Sequence, residues 1–467
     1  MRLGRIWLTV AALGAGTAYG CGRDPSVLAA LVALSGAVLV LLRCRAARAA
    51  GLGAVALGLG SLGAGWRCAP QSALTIVAER APFCDFSGRV LEGAGGLGTL
   101  AKLARIDCRG WDTVLDPGVA VLDDTVGVAG SSLSGRGWLL PLGADGFERA
   151  RARIGAQAAL DPTELHLRAP TSGPHALAAS ARHNLEAVTR PLDPTRAALL
   201  RGLVVGDTER LDVALLDAFR RAGLSHLLAV SGSNVAIVVG AVGLTLRPAG
   251  LIARVAAGAA ALGLYLLVVG PEPSVLRATL MGAIALVALA AGTRTDPLAA
   301  LGVAVLMLIA LRPGLVYSVG LHLSVAATAG IVLWGEAVVR RAGRLPRVVS
   351  VPLGVSIGAQ LAVAPILVGT FGELSLVAPV ANLLAAPAVP PATVLGLAAA
   401  LAHGLHPAAG TVLARLAEPW AAWIVWVGEV FGALPWAAVG LPHEAALVLG
   451  AVAVAGVWIT LRDSPPQ

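Results

Sequence analysis

Two blocks of long apolar runs enclose a stretch in which apolar and polar residues alternate over short distances. Residues 6–20, 27–42 and 49–65 form the first block, the third run falling short of the roughly 20 residues that a membrane-spanning helix prefers. Arg2 and Arg5 precede the first run in the manner of a signal peptide, but the second run follows too closely, so both are read as uncleaved spans. The second block comprises residues 224–246, 253–270, 274–292, 297–311, 315–334, 348–369, a proline-broken run over 374–402, then 412–431 and 444–461. Trp420, Trp423 and Trp426, with Arg415, Glu418 and Glu429 among them, mark 412–431 as a tilted or interfacial helix.

Between the blocks, Asp-Pro-Gly, Asp-Gly and Ser-Gly turn signals separate short runs over residues 74–78, 87–91, 119–122 and 164–168, which read as strands of a small β-rich domain. A helical connector follows, broken at Pro191 and Pro194, and its amphipathic stretch over 211–221 is expected to lie along a membrane surface. The fold class expected is an all-α polytopic membrane protein of about 10–12 membrane segments with an inserted extracytoplasmic β-rich domain. Its divisions are transmembrane helices over 1–70, the β-rich domain over 71–177, the connector over 178–222 and a transmembrane domain over 223–467.

Composition agrees: the 467 residues are 57% hydrophobic and 13% charged, with a mean hydropathy of +0.80. The net charge of +8 would suggest nucleic acid in a soluble protein, but here the asymmetry of loop charge accounts for it first. With the N-terminus in the cytoplasm, Arg2, Arg5, Arg43, Arg45, Arg48, Arg247, Arg254, Arg294, Arg340, Arg341, Arg344 and Arg347 all fall on the cytoplasmic side. Only Arg23 and Arg312 fall in outer loops, and the β-rich domain is placed outside. Residues 71–200 hold 13 Lys+Arg against 14 Asp+Glu, a balance that does not suggest a strong phosphate-binding surface. Cys84 and Cys108 fall in this domain, either as an extracytoplasmic disulfide or as two small buried thiols.

Polar residues inside the apolar runs carry the candidate chemistry. Ser225, His226, Ser231, Ser233 and Asn234 cluster at the mouth of the first run of the second block, where Ser231-Gly232-Ser233 also weakens a helix. Small residues there would also serve close helix packing, and His226 would also cap or anchor a helix. Five polar side chains within ten residues favour a lined cavity, because each must find a partner inside a bilayer. Arg277, His322, Ser324, Gln360 and Asn382 extend the set to other runs, a snorkelling role being the alternative for Arg277. Together they suggest a polar pathway with Arg277 as the cation of a polyanion route. No carboxylate stands at a predictable distance from either histidine, and no HxHxDH, HExxH or Walker A pattern occurs, so neither a hydrolase site nor an energy source is expected.

The run Gly223-Leu-Ser-His-Leu-Leu-Ala-Val-Ser-Gly-Ser-Asn-Val235 resembles the signature of the ComEC competence family. Further similarity follows in order at Leu199-Leu-Arg-Gly-Leu-Val-Val-Gly-Asp207, Pro273-Ser-Val-Leu-Arg-Ala-Thr-Leu-Met281, Asp296-Pro-Leu-Ala-Ala-Leu301 and Gly320-Leu-His-Leu-Ser324 through Gly330. It continues at Phe371-Gly-Glu-Leu-Ser-Leu376 and Ala381-Asn-Leu-Leu-Ala-Ala-Pro387. The β-rich region matches the family's OB-like domain by position. The resemblance implies a channel carrying single-stranded DNA across the bacterial cytoplasmic membrane in natural transformation. The implied partners are a membrane DNA receptor, a cytoplasmic helicase or translocase that pulls the strand, and the lipid bilayer; no cofactor or metal is implied. Many members also carry a metallo-β-lactamase-like domain, which this sequence does not show, so nuclease activity is expected to be absent or supplied by a separate nuclease. The alternative is a permease for another polymer or envelope precursor on the same scaffold. A membrane protease built on Ser231 and His226 has little support.

Overall fold

A computed structural model describes residues 73–80, 83–93, 98–108, 118–123, 130–143, 151, 156–208, 210–228, 230–312, 315–316 and 318–462. The three N-terminal runs expected to span the membrane lie outside these residues. The chain divides into two compact units, one holding the chain to Ala179 with Gly270–Glu272 and Val305–Ser318, the other holding Ser180–Val269, Pro273–Ala304 and the chain from Val319.

The first unit is a small barrel. Helix α1 (Ala73–Ala78) precedes strands β1 (Phe83–Gly93), β2 (Thr99–Cys108), β3 (Gly118–Leu122), β4 (Ser132–Leu140) and β5 (Ala158–Arg168). They close in the order β1-β2-β3-β5-β4, with β3 and β5 parallel and every other pair antiparallel. Alternation along β4, and along β2 on either side of an irregularity at Ala104, turns Leu103, Ile106, Leu133 and Leu139 inward, where they meet Phe86, Val90 and Leu160. Residues 74–78, expected as a strand, instead form α1. Leu74, Val77 and Ala78 stand at helical spacing and all enter the barrel core, so the apolar run serves one helix face. Cys84 and Cys108 lie opposite each other across β1 and β2 and form a disulfide, their Cα atoms 4.0 Å apart. Tethering residues 24 apart in sequence contributes about 3 kcal/mol by restricting the unfolded chain.

The second unit is helical, and the end of α2 (Gly173–Thr189) leads into it. Helix α3 (Pro194–Val205) begins at Asp193, whose side chain accepts from the Thr195 and Arg196 N–H groups, and stops at Gly206 in the left-handed region. Every residue from Ala197 to Val205 is buried, so this part of the connector is a core helix of its unit. Helix α4 (Val213–Ala222) is amphipathic as expected, with Leu215, Phe219 and Ala222 buried and Asp217 and Arg220 exposed. The short α5 (Ser225–Leu228) and α6 (Gly232–Thr245) follow, separated by the break expected around Ser231.

Helices α7 (Leu251–Val269), α8 (Pro273–Ala290), α9 (Pro297–Leu311), α10 (Val319–Arg341), α11 (Arg347–Phe371) and α12 (Ala378–His403) come next. Where α10 crosses α11, a Cβ on Gly330 would strike the Gly358 carbonyl, and the π-helical turn Ile331–Gly335 begins at that crossing. Residues 378–402 of the proline-broken run form the continuous α12, because its prolines sit at first-turn positions of successive segments around the 3₁₀ turn Ala386–Ala388. A two-stranded sheet, β6 (Glu373–Ser375) with β7 (Ala438–Gly440), α13 (Pro407–Gly432) and α14 (Ala445–Arg462) complete the chain. On α13, Glu418 accepts from Arg196 at 3.2 Å, while Trp420, Trp423 and Trp426 remain exposed.

Candidate functional site

Three polar constellations emerge, two within the helical unit and one on the barrel. The first surrounds the start of α6. Ser274 Oγ donates to the Val230 carbonyl at 2.8 Å and so braces the unwound link between α5 and α6. Ser231 is the N-cap residue but makes no side-chain cap; its hydroxyl hydrogen bonds to Ser233 Oγ and, at 3.4 Å, to Asn234 Oδ1. Asn234 is buried and donates through Nδ2 to the Leu203 carbonyl at 3.0 Å, tying α6 to α3. Arg277, on the second turn of α8, is only 7% exposed. Its Nε donates to Ser324 Oγ on α10 at 2.8 Å and its Nη1 to Met281 Sδ at 3.2 Å. A Cβ on Gly232 would meet Arg277 Nη2, so the guanidinium lies over the first turn of α6 in space left by the absent side chain. Among the described residues, no carboxylate lies within ion-pair distance of Arg277.

This arrangement brings together Ser231, Ser233, Asn234, Arg277 and Ser324 from the expected set. Ser225 and His226 lie nearby on α5 and are exposed. His322 and Asn382 are half-buried on α10 and α12. Gln360 belongs to a second constellation. Its Nε2 donates to the Ser375 carbonyl at 2.7 Å, and Ser375 Oγ donates to the Arg221 carbonyl at 2.8 Å. Arg221 in turn donates to the Leu434 carbonyl at 2.9 Å, and Arg220 Nε pairs with Glu373 at 3.4 Å. These bonds lash α4, α11 and the β6–β7 sheet together, which is a bracing role. Ser375 was not singled out from the sequence, because a serine beside a turn carries no local signal of so distant a partner.

Near the start of the helical unit, Glu186 accepts from Arg210 at 3.0 Å, and that hydrogen bond holds its carboxyl below the usual range. Burial lowers the Arg201 guanidinium, with Asp207 at 3.9 Å opposing the shift. The first pair flanks the Leu199–Asp207 motif and the second lies within it. Among the described residues no group of three or more His, Cys, Asp and Glu is placed to hold a metal ion.

The half of the chain that carries the first two constellations is decisive for the family. A family model described as "Competence protein" matches residues 203–465. The chain belongs to the competence protein family. It is also similar to ComE operon protein 3 of Bacillus subtilis (strain 168), 27% identical over 217 residues. That match covers 44% of this chain and 26% of the relative, so only about a quarter of the relative's length is represented in it. No solved structure matches. Among the described residues of this competence protein, five helices are long and apolar enough to cross a bilayer: Leu251–Val269, Pro273–Ala290, Val319–Arg341, Arg347–Phe371 and Ala378–His403. Gly232–Thr245 and Pro297–Leu311 are shorter apolar helices. The protein is a multi-pass membrane protein with a small β region ahead of its family-defining part.

The third constellation lies on the barrel and was missed by counting charges. Across β2, β1, β4 and β5, cross-strand pairing aligns Lys102, Arg89, Ser132 and Arg168 in one row. The next row holds Arg105, Ser87, Ser134 and His166. The carboxylates gather one row further on, where Asp107, Asp85, Arg136 and Glu164 align and Arg136 pairs with Asp85 at 2.7 Å. A groove of about 990 Å³ runs over the basic rows, lined by Arg89, Lys102, His166 and Arg168 with the hydroxyls of Ser87, Ser132 and Ser134, and, among the described residues, by no carboxylate.

Proposed function

We propose that this chain carries single-stranded DNA across the bacterial cytoplasmic membrane during DNA uptake. Membership of the competence family supports the reading, and the observation that carries it is the basic groove on the barrel. Lys102 and Arg89 stand on neighbouring strands and Arg168 two strands further on, so one row offers several cations to a phosphate backbone, and serine hydroxyls supply further donors. We read the barrel as OB-like, because its five strands close in the order β1-β2-β3-β5-β4 with β3 and β5 parallel, and five-stranded barrels of that architecture bind oligonucleotides. The loop arginines favour a cytoplasmic N-terminus and an outer barrel, and a disulfide in the barrel suits an oxidising compartment. A membrane DNA receptor would deliver the strand to the barrel and a cytoplasmic translocase would pull it; no hydrolytic step is assigned to this chain.

In the source organism, deletion of the gene is expected to leave labelled DNA bound at the cell surface while abolishing its appearance in the cytoplasm. Normal internalisation in the deletion strain would refute the reading and favour a permease for another polymer. A cysteine introduced at the exposed Ser134 should react with a membrane-impermeant maleimide in intact spheroplasts. Reaction only after lysis would place the barrel on the cytoplasmic side.

A further inference from the structure

Helix α12 is long and apolar enough to cross a bilayer, yet both of its ends are held at one side of the helical unit. That side is marked by the end of α7 and the start of α8, which meet through the short link between Val269 and Pro273. Arg277 near the start of α8 donates to Ser324 near the start of α10, so α10 begins at the same level. Helices α10 and α11 then run antiparallel, Gly330 against Gly358 and Gly335 against Gly354, which returns the end of α11 to that level. The base of the α12–α13 hairpin is fixed there: β6 and β7 join the start of α12 to the end of α13, and the Leu441 N–H donates to the Gly372 carbonyl at the end of α11 at 2.8 Å. Its tip is fixed there too. A Cβ on Gly404 would come within 3.0 Å of Asn184 Nδ2 on α2. Two residues earlier on that helix, Arg182 donates to the last carbonyls of α7, those of Val268 and Val269, at 2.6 Å each. One helix width, about 10 Å, separates these contacts, against the roughly 39 Å that the 26 residues of α12 span. Between its ends α12 stays on the same side, where Leu397 packs against the cluster holding Val235, Tyr265, Val269 and Val275. Its span-length stretch is 44% buried, against 17–28% in the other four, so its apolar surface serves packing within the protein.

We infer that the α12–α13 hairpin does not cross the membrane but lies along its outer surface, and that the stripe of α13 formed by Leu416, Trp420, Trp423, Trp426 and Val430 beds in the phospholipid interface. The word outer rests on the orientation proposed above from the loop arginines. All five stripe residues are exposed, and a contiguous apolar surface of this kind needs an apolar cover. Trp423 donates its N–H to the Leu384 carbonyl and leaves its ring on the surface. The indole N–H groups of Trp420 and Trp426 have no acceptor among the described residues and are open to lipid carbonyls. Charge placement excludes a crossing. Arg415 is exposed beside the stripe and would stand about 7 Å from the midpoint of a crossing α13, inside the hydrocarbon and facing lipid. From a helix lying in the membrane plane, Arg415 and Glu429 both reach the headgroups.

The test uses the full chain with Cys21, Cys44 and Cys68 replaced by serine, leaving the Cys84–Cys108 disulfide. Single cysteines are placed by Leu405→Cys at the hairpin tip, Phe371→Cys at the end of α11 and Leu345→Cys in the α10–α11 turn, all exposed positions. In intact spheroplasts a membrane-impermeant maleimide should label positions 405 and 371 alike, and position 345 only after lysis. Labelling of 405 together with 345 would show that the hairpin crosses and would overturn the proposal. Labelling of 345 before lysis, with 371 and 405 both protected, would keep the hairpin on one face and refute the orientation instead. The lipid contact is read in vesicles of phosphatidylcholine brominated either near the headgroup end of its acyl chains or near their methyl ends. The fluorescence lost in the Trp420→Phe, Trp426→Phe double variant, which retains Trp423 and its bond to Leu384, is the signal of the stripe. It should be quenched more strongly by the shallow bromines. Stronger quenching by the deep bromines would place the stripe in a crossing helix, and no quenching by either would turn it to water; each overturns the lipid contact.

Discussion

Replacing Gly223 by valine is expected to prevent the helical unit from reaching a stable folded state. Gly223 ends α4 with φ 72°, its N–H donating to the Arg220 carbonyl at 3.1 Å. A branched side chain in this left-handed conformation costs about 1–2 kcal/mol. The position is also crowded, since a Cβ there would strike Ala378 Cβ and come within 3.1 Å of Ser375. Overpacking of this kind adds about 1–3 kcal/mol. Together these approach the marginal stability of an ordinary domain, about 5–15 kcal/mol, at its lower end. Thermal unfolding in detergent and the yield of monodisperse protein measure the effect. Gly243→Ala is the matched control: that glycine lies inside α6 with nothing within 4 Å of where the new methyl would stand, so the change should be neutral or stabilising by about 0.5–1 kcal/mol. A Gly223→Val protein that melts within a few degrees of the parent would show that the α4–α12 approach is not a constraint on the fold.

The second large effect is expected on the barrel. A triple variant, Arg89→Gln, Lys102→Gln and Arg168→Gln, should lower affinity for oligothymidylate by roughly 30- to 100-fold at 0.15 M salt and reduce the log–log salt slope by about 2, the counterion release of three phosphate contacts on a single strand. All three side chains are exposed, so stability should change little. Fluorescence anisotropy of a labelled oligonucleotide with the full chain, across a range of KCl concentrations, reads both quantities. Arg136→Gln removes the same formal charge as any one of these changes, but from the acidic row, where Asp85 already neutralises that arginine at 2.7 Å. Its effect on affinity should therefore be small, within about threefold. Equal losses in Arg136→Gln and in each single change of the basic rows would mean that net charge, and not the row, governs binding.

Much of the molecule was legible in the sequence because its cause is local. Apolar runs located helices α7, α8, α9 and α11 to within a few residues and α10 except for its last turns, since burial in lipid or in a helical unit needs only a long apolar stretch. Asp193, Asp212, Gly206 and Gly223 bound their helices through contacts no more than four residues away. The Ser231-Gly232-Ser233 break and the motif that signals the family are equally matters of adjacent residues. What only the tertiary structure decided depends on partners distant in the chain. Whether residues 74–78 became a strand or a helix turned on which core face received Leu74, Val77 and Ala78. The near-neutral charge balance of the barrel concealed two basic rows and one largely acidic row, because pairing across β2, β1, β4 and β5 is set by register and closure, which no local pattern encodes. Arg277 could be recognised as an unusual residue in an apolar run, but its seat on Gly232 and its bond to Ser324, 47 residues away, arise only when α6, α8 and α10 pack together.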